Sequence, residues 1–181
     1  KLTGANRLWE SVIFAVRGIL LSDSDSIKYA ISGIQDVVVI TDSGDGFYKD
    51  GSFIQHDNIP YNCGYGRSLI QELAPMLYTF KDTEFEIKNT DIINTWVEKS
   101  YLPFIYNGRT MDMVRGREIS RYYEQSDFAC SRILSAMLIL TELSEFDILR
   151  SVIKTHLTDS FFEYASLFAV ELAEGLQEDD N

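Results

Sequence analysis

The chain has 181 residues, a formal net charge of −12, and 45% hydrophobic against 24% charged residues. That length sets one domain as the expectation and suffices to bury a core. The acidic balance argues against nucleic acid as a partner. No run of about 18 apolar residues is available to span a membrane, and no signal-peptide pattern is visible. The two cysteines, Cys63 and Cys130, form no disulfide framework and are expected to be reduced.

Helical periodicity dominates. Leu8, Val12, Ala15, Val16, Ile19 and Leu20 recur at helical spacing and predict a helix over about 6–21. Ser22-Asp23 reads as the N-cap of a second helix through about Asp36. Residues 37–40 are a β-branched run, buried or strand-like, and residues 41–65 read as a long ordered loop. A helix over 67–80 carries Pro75 as a bend or boundary, and Asn89-Thr90-Asp91 caps another that Pro103 stops after Tyr101. A second polar loop spans 107–125. Three apolar helices follow, over about 127–142, 145–155 and 158–176, with a frayed tail at 177–181. The pattern is all-α, and its helix–loop–helix alternation suits antiparallel hairpins.

Residues 45–66, DGFYKDGSFIQHDNIPYNCGYG, are the most informative stretch. Gly46, Gly51, Gly64 and Gly66 stand among five aromatic rings and His56. Glycine lets backbone bend and approach closely, and aromatics with polar tips line ligand grooves. His56 and Tyr65 lie nine residues apart, too far for one helix face, and converge if the chain folds back at Pro60 and Gly64. An imidazole titrating near neutrality beside a phenol is a base and acid pair. Arginines cluster nearby: Arg109, Arg115, Arg117 and Arg121 fall within thirteen residues, against Asp112 and Glu118. From Asp159 onward there are seven acids and no base. Because screening confines fields to about 10 Å, such a cluster can hold a carboxylate in an acidic chain, and the acidic excess becomes a solvated outer face.

Three blocks in order, TGAN at residues 3–6, GDGFYKDGSFIQHDNIPY…YG at 44–66 and MDMVRGREISR at 111–121, resemble polysaccharide lyase family 8, which includes hyaluronate, chondroitin AC and xanthan lyases. The resemblance runs from Lys1 to about Leu143. It implies an (α/α) toroid with long active-site loops, of which this chain is expected to be a piece. The β-sandwich domains of the family, and its aromatic subsite residues ahead of TGAN, are absent here. Lys1 then reads as a processing boundary.

The chemistry it implies is β-elimination next to a uronate carboxylate. Asn6 matches the amide that neutralises the carboxylate, His56 the base that takes the C5 proton, and Tyr65 the acid that protonates the glycosidic oxygen. Some treatments of the family give the tyrosine both roles. Arg117 and Arg121, ahead of Arg115, match substrate-placing arginines; four apart, the first two can share a helix face. No metal or organic cofactor is required. The partner is an acidic, glycosaminoglycan-like polysaccharide, hyaluronate first and xanthan or chondroitin next, and the family is secreted or cell-surface. A non-catalytic helical fragment that only binds polysaccharide is the alternative.

Plainer roles compete residue by residue. Asn6 suits an N-cap, His56 an idle loop residue, Tyr65 a packed turn, the arginines a solvated face, and His156 a helix surface. Cys63 departs from the family, which often has a glycine beside the tyrosine, and is expected to shift Tyr65 or narrow the cleft. The apolar stretches at 133–143 and 161–172 are expected to expose patches that drive self-association.

Overall fold

The computed structural model describes residues 2–178, apart from the side chains of Glu145 and Glu178. Helices α1 (Gly4–Leu21) and α2 (Ser24–Gln35) come first. A small antiparallel sheet follows, β1 (Gly46–Phe47), β2 (Phe53–Gln55) and β3 (Ile59–Pro60), and then α3 (Tyr65–Phe80) and α4 (Ile92–Trp96). A hairpin, β4 (Ile105–Tyr106) and β5 (Arg109–Thr110), leads through two 3-10 turns to α5 (Ser126–Leu140), α6 (Leu149–Lys154), α7 (Asp159–Tyr164) and α8 (Leu167–Glu178). The fold is all-α, an incomplete toroid of helical hairpins with long connecting loops. None of the described helices is long and apolar enough to cross a membrane. The frayed tail expected at 177–181 falls partly outside the described residues; Gln177 and Glu178 close α8.

The first hairpin turns where the sequence says. Ser22 adopts a left-handed conformation and its N–H caps the carbonyls of Gly18 and Ile19. Asp23 then caps α2, accepting from the N–H groups of Asp25 and Ser26 and from the Ser26 hydroxyl at 2.6 Å. The Ser26 bonds hold the Asp23 carboxyl below its ordinary range. Arg7, buried in α1, locks the pair by donating to Asp36 and to the Tyr29 hydroxyl of the second helix.

The loop at 41–65 is more ordered than a loop. Its strands pair in register Phe47↔Phe53 and Gln55↔Ile59. Of its five aromatic rings, Phe47, Phe53 and Tyr61 are fully buried, so most of them anchor the segment instead of lining a groove. Phe47 stacks on Trp96 with centroids 4.1 Å apart, and Phe53 meets Phe47 edge-on. Asn62, also buried, receives the Phe53 N–H and donates to the carbonyls of Gly51 and Ser100. Each is a backbone group that burial would otherwise leave unpaired. Of the run at 37–40, only Ile40 bridges to a strand residue, Phe47.

Several boundaries differ from the sequence reading. α3 begins at Tyr65 itself and runs unbroken through Pro75. α4 is short and widens into a π-helical turn over Val97–Tyr101. The polar loop at 107–125 opens as a hairpin whose turn, Asn107-Gly108, has both residues at positive φ; an Asn-Gly pair between strands is the standard sign of such a turn. The helices expected at 145–155 and 158–176 are broken, into a 3-10 turn plus α6 and into α7 plus α8. His156 sits half-buried in the turn after α6, not on a helix surface.

The apolar stretch at 133–143 is not exposed: α5 is buried along nearly its whole length, packed by α3, α7 and α8. Of the second stretch, Phe161 is buried, while Leu167 is 84% exposed. The larger uncovered apolar surface lies on α1, where Ile13, Val16, Ile19 and Leu20 are exposed. Self-association is therefore expected through α1. Replacing Ile13 and Leu20 together by Glu should move the chain toward monomer in sedimentation velocity; an unchanged distribution would place the contact elsewhere.

Candidate active site

The TGAN block and the QHD block are joined by one carboxylate. Asp45 accepts from the Thr3 hydroxyl at 2.7 Å, from the Gln55 amide at 2.6 Å, and from the Asp57 N–H at 3.4 Å. Gln55 is fully buried, and its carbonyl oxygen accepts the Ala5 N–H at 3.3 Å, an N–H with no partner inside α1. Gly4 sits at φ +52°, and a Cβ there would lie 2.5 Å from that same oxygen. The block needs glycine for both reasons.

Asn6 lies inside the first turn of α1. Thr3 occupies the N-cap position, so capping does not account for Asn6. Its side chain is half-buried, makes no hydrogen bond among the described residues, and lines a groove of about 390 Å³ with Leu2, Trp9 and Ile13. Trp9, one turn further on, packs against Tyr65 with centroids 5.8 Å apart. It borders both this groove and a second cleft of about 410 Å³ that contains Tyr65.

His56 and Tyr65 meet. The β2–β3 turn puts His56 and Asp57 at φ +55° and +70°, a conformation rare for side-chain-bearing residues. The exposed imidazole stands edge-on to the Tyr65 ring at 4.9 Å between centroids, and Tyr61 completes the cluster 5.1 Å from Tyr65. The Tyr61 carbonyl accepts from the N–H groups of Gly64 and Gly66 and so turns the chain into α3. The buried Tyr101 hydroxyl donates to the Gly66 carbonyl at 2.7 Å, and burial keeps that phenol well above its ordinary pKa.

The RGREISR segment docks on the same aromatics. Gly116 has φ +55°, and a Cβ there would lie 2.1 Å from the Tyr61 ring. The Arg117 N–H donates to the Tyr61 hydroxyl at 3.0 Å, and its guanidinium donates to the Tyr65 hydroxyl at 3.2 Å. With its oxygen accepting from Arg117, Tyr65 keeps its own proton for another acceptor. Residues 116–120 form a 3-10 turn, so Arg117 and Arg121 do not share an α-helical face. Arg121 still lines the Tyr65 cleft, paired with Glu124 and, at 4.0 Å, with Glu118. The Glu124 bond raises its pKa. Arg115 is different: it is 1% exposed and held by Asp112 and by the carbonyls of Glu118 and Glu124. Burial keeps its guanidinium from a polymer, so the substrate contact expected of Arg115 gives way to holding the segment's shape. Arg109 stands apart on β5.

Asp45, Gln55, Trp9 and the buried pair Arg67–Glu118 escaped the sequence reading. Arg67 Nη2 lies 3.3 Å from Glu118, both nearly buried, two residues after Tyr65 and one after Arg117. Nothing local in the sequence marks such a pair, because its partners lie 51 residues apart. Cys63 is fully buried and does not line the Tyr65 cleft, so it does not narrow it.

Two outcomes follow from this geometry. Asp45→Ala removes three hydrogen bonds and should cost about 2–3 kcal/mol in urea denaturation; a change within error would mean the clamp is dispensable. Burial pushes the thiols of Cys63 and Cys130 up to about 12, so both remain neutral at pH 8. Neither should react with a thiol reagent until denaturant is added, and rapid native labelling read by mass spectrometry would contradict the packing.

Residues 1–155 match the family described as polysaccharide lyase family 8, N terminal alpha-helical domain. The chain is 32% identical over 189 aligned residues to a xanthan lyase of Bacillus sp. (strain GL1), covering 98% of this chain and 20% of that protein. It is 37% identical over 144 residues to a hyaluronate lyase of Thermasporomyces composti, covering 78% of this chain and 18% of that one. The solved structure of Paenibacillus xanthan lyase superposes with a TM-score of 0.91 at 34% identity, over 98% of this chain and 18% of that one. The chain thus spans about a fifth of the length of the relatives it matches, and it belongs to polysaccharide lyase family 8.

Proposed function

We propose that this chain carries the reacting side chains of a polysaccharide lyase that cleaves a uronate-containing acidic polymer by β-elimination. The observation that supports it most is the contact set around Tyr65: His56 perpendicular to its ring, Arg117 on its oxygen and Trp9 tilted against it. Asn6 lies one helical turn before Trp9.

The difficulty of the reaction is an α-proton beside a carboxylate, which resists removal while that carboxylate keeps its charge. The Asn6 amide, unengaged among the described residues, hydrogen-bonds the carboxylate and stabilises the charge that develops on it. Neutral His56 takes the C5 proton. The C4–O bond then breaks, its electron pair leaves with the glycosidic oxygen, and Tyr65 protonates that oxygen. A C4–C5 double bond remains on the new non-reducing end. Arg117 holds the Tyr65 oxygen through its guanidinium, and Arg121 contributes to placing the polymer. Secretion or cell-surface display belongs to the same reading, since the substrate is an extended polymer.

For the polymer itself, similarity along 98% of the chain and a TM-score of 0.91 favour a xanthan-type substrate. Hyaluronate, expected from the motifs, is the second reading, carried by 37% identity over 78% of the chain. Absorbance of the new double bond, measured over both polymers, separates them. The same assay on the chain alone and on the native protein carrying it tells a self-sufficient catalyst from a part that only binds.

In the native protein, His56→Ala should lower turnover by about 100-fold or more, with folding checked by circular dichroism. Turnover near wild type would hand the base role to Tyr65. Asn6→Ala should lower the rate by about 100- to 1,000-fold while changing stability by less than about 1 kcal/mol. If activity fell only in step with stability, Asn6 would be a structural residue and the carboxylate-neutralising role would be lost.

A further inference from the structure

Tyr61 is 1% exposed and tied into the cluster around Tyr65 at several points. Its N–H donates to the Phe53 carbonyl at 2.8 Å, and its own carbonyl takes the N–H groups of Gly64 and Gly66. The backbone at Tyr61 is thus bound to β2 on one side and to the start of α3 on the other. Its ring stands at 82° to that of Tyr65 and meets the His56 ring with centroids 6.2 Å apart. Two glycines make room for it: a Cβ on Gly64 would lie 2.6 Å from the ring, and one on Gly116 would lie 2.1 Å from it. A ring packed this closely fixes the direction of its hydroxyl.

That hydroxyl accepts the Arg117 N–H at 3.0 Å. Arg117 stands at the start of a 3-10 turn, where an N–H has no carbonyl of its own turn to serve it. The neighbouring arginines are anchored by acids, Arg115 by Asp112 and Arg121 by Glu118 and Glu124. No acid holds the Arg117 side chain among the described residues; its guanidinium donates to the Tyr65 hydroxyl at 3.2 Å. A long side chain with many rotamers and no ion pair is placed by its backbone. The Cys63 N–H also joins the two segments, donating to the Val114 carbonyl at 3.0 Å, but the Tyr61 bond falls on Arg117 itself.

We propose that Tyr61 is a positioning residue: by accepting the Arg117 N–H, its hydroxyl sets where the Arg117 guanidinium meets the Tyr65 oxygen. The proposal rests on the lyase reading above, in which Tyr65 gives its proton to the glycosidic oxygen. Tyr61 touches no reacting atom. It acts on the proton-transfer step through Arg117, so its loss appears in kcat and not in KM.

The test uses the native protein and two substrates with the same reacting uronate. In one the group leaving C4 is the natural glycosidic oxygen, which must be protonated; in the other it is fluoride, which departs without a proton. Absorbance of the new double bond reads both. Tyr61→Phe keeps the ring and the backbone bonds and removes the hydroxyl alone, and circular dichroism checks its fold. It should lower kcat on the glycosidic substrate by about 10-fold and leave KM within about threefold. On the fluoride substrate it should match the wild type within about twofold, because the acid step is bypassed. Adding Tyr61→Phe to Arg117→Ala should lower kcat by less than about twofold further, since the guanidinium that the hydroxyl places is already gone. Equal losses on both substrates, no loss on either, or full additivity with Arg117→Ala would overturn the assignment and leave the lyase reading standing. A wild type that cleaves neither substrate overturns the lyase reading with it.

Discussion

The Asp45 carboxylate is where the two halves of the site are made into one. It accepts a hydroxyl from the start of α1, a side-chain amide from β2 and a backbone N–H from the turn that carries His56. Because Gln55 passes the connection on to the Ala5 N–H, the first turn of α1 and the β2–β3 turn cannot drift independently. The positions of Asn6 and His56 are set by the same few bonds. A carboxylate accepting several donors at once is a strong local constraint, and here it replaces the packing that a surface loop would otherwise lack.

A second constraint sets the far side of the cluster. Tyr61 offers its carbonyl to the start of α3, its ring to the space left by Gly116, and its hydroxyl to the Arg117 N–H. The register of RGREISR against Tyr65 is therefore fixed through Tyr61 as well as through the bond from Arg117 to Tyr65 itself. Beneath both lies the stack of Phe47 on Trp96, which joins the loop to the π-helical turn, with Tyr101 tying that turn to the start of α3. A wide turn of this kind, which tends to accompany functional sites, here brings Tyr101 under the first turn of the helix that carries Tyr65. Removing one partner of the buried Arg67–Glu118 pair would add an unbalanced charge to this floor, at a cost of about 3–5 kcal/mol.

The sequence was legible where physics is local. Periodicity placed α1, α2, α3 and α5, and Ser22-Asp23 marked its turn, because capping and amphipathicity act over a few residues. The convergence of His56 and Tyr65 was also readable, but not its cause: the chain reverses at His56-Asp57 and again at Gly64, while Pro60, expected to turn it, lies extended in β3. The rest depends on distant partners. Aromatics at 45–66 resemble a groove lining until Trp96 is known to cover Phe47. Exposure of 133–143 was misjudged because an apolar helix does not say how many neighbours surround it, and α3, α7 and α8 surround α5. The Asn107-Gly108 turn was a missed local signal, hidden by reading the whole segment as polar loop.

The arginine cluster shows why counting charges overstates what a site can use. Arg115 is buried in its own segment, and Arg121 is balanced by acids from the same stretch. The guanidinium of Arg117 donates to Tyr65, and Arg109 is elsewhere. Little positive charge is left to attract an anionic polymer, in keeping with a chain of net charge −12. On the proposed reading this is consistent chemistry. A strong cation beside the reacting carboxylate would bind ground state and transition state alike and lower KM without raising kcat. A neutral amide gains most as charge shifts onto the carboxylate oxygens in the transition state. Polymer affinity, on the same reading, falls to groups away from the reacting carbon, such as the exposed part of Trp9.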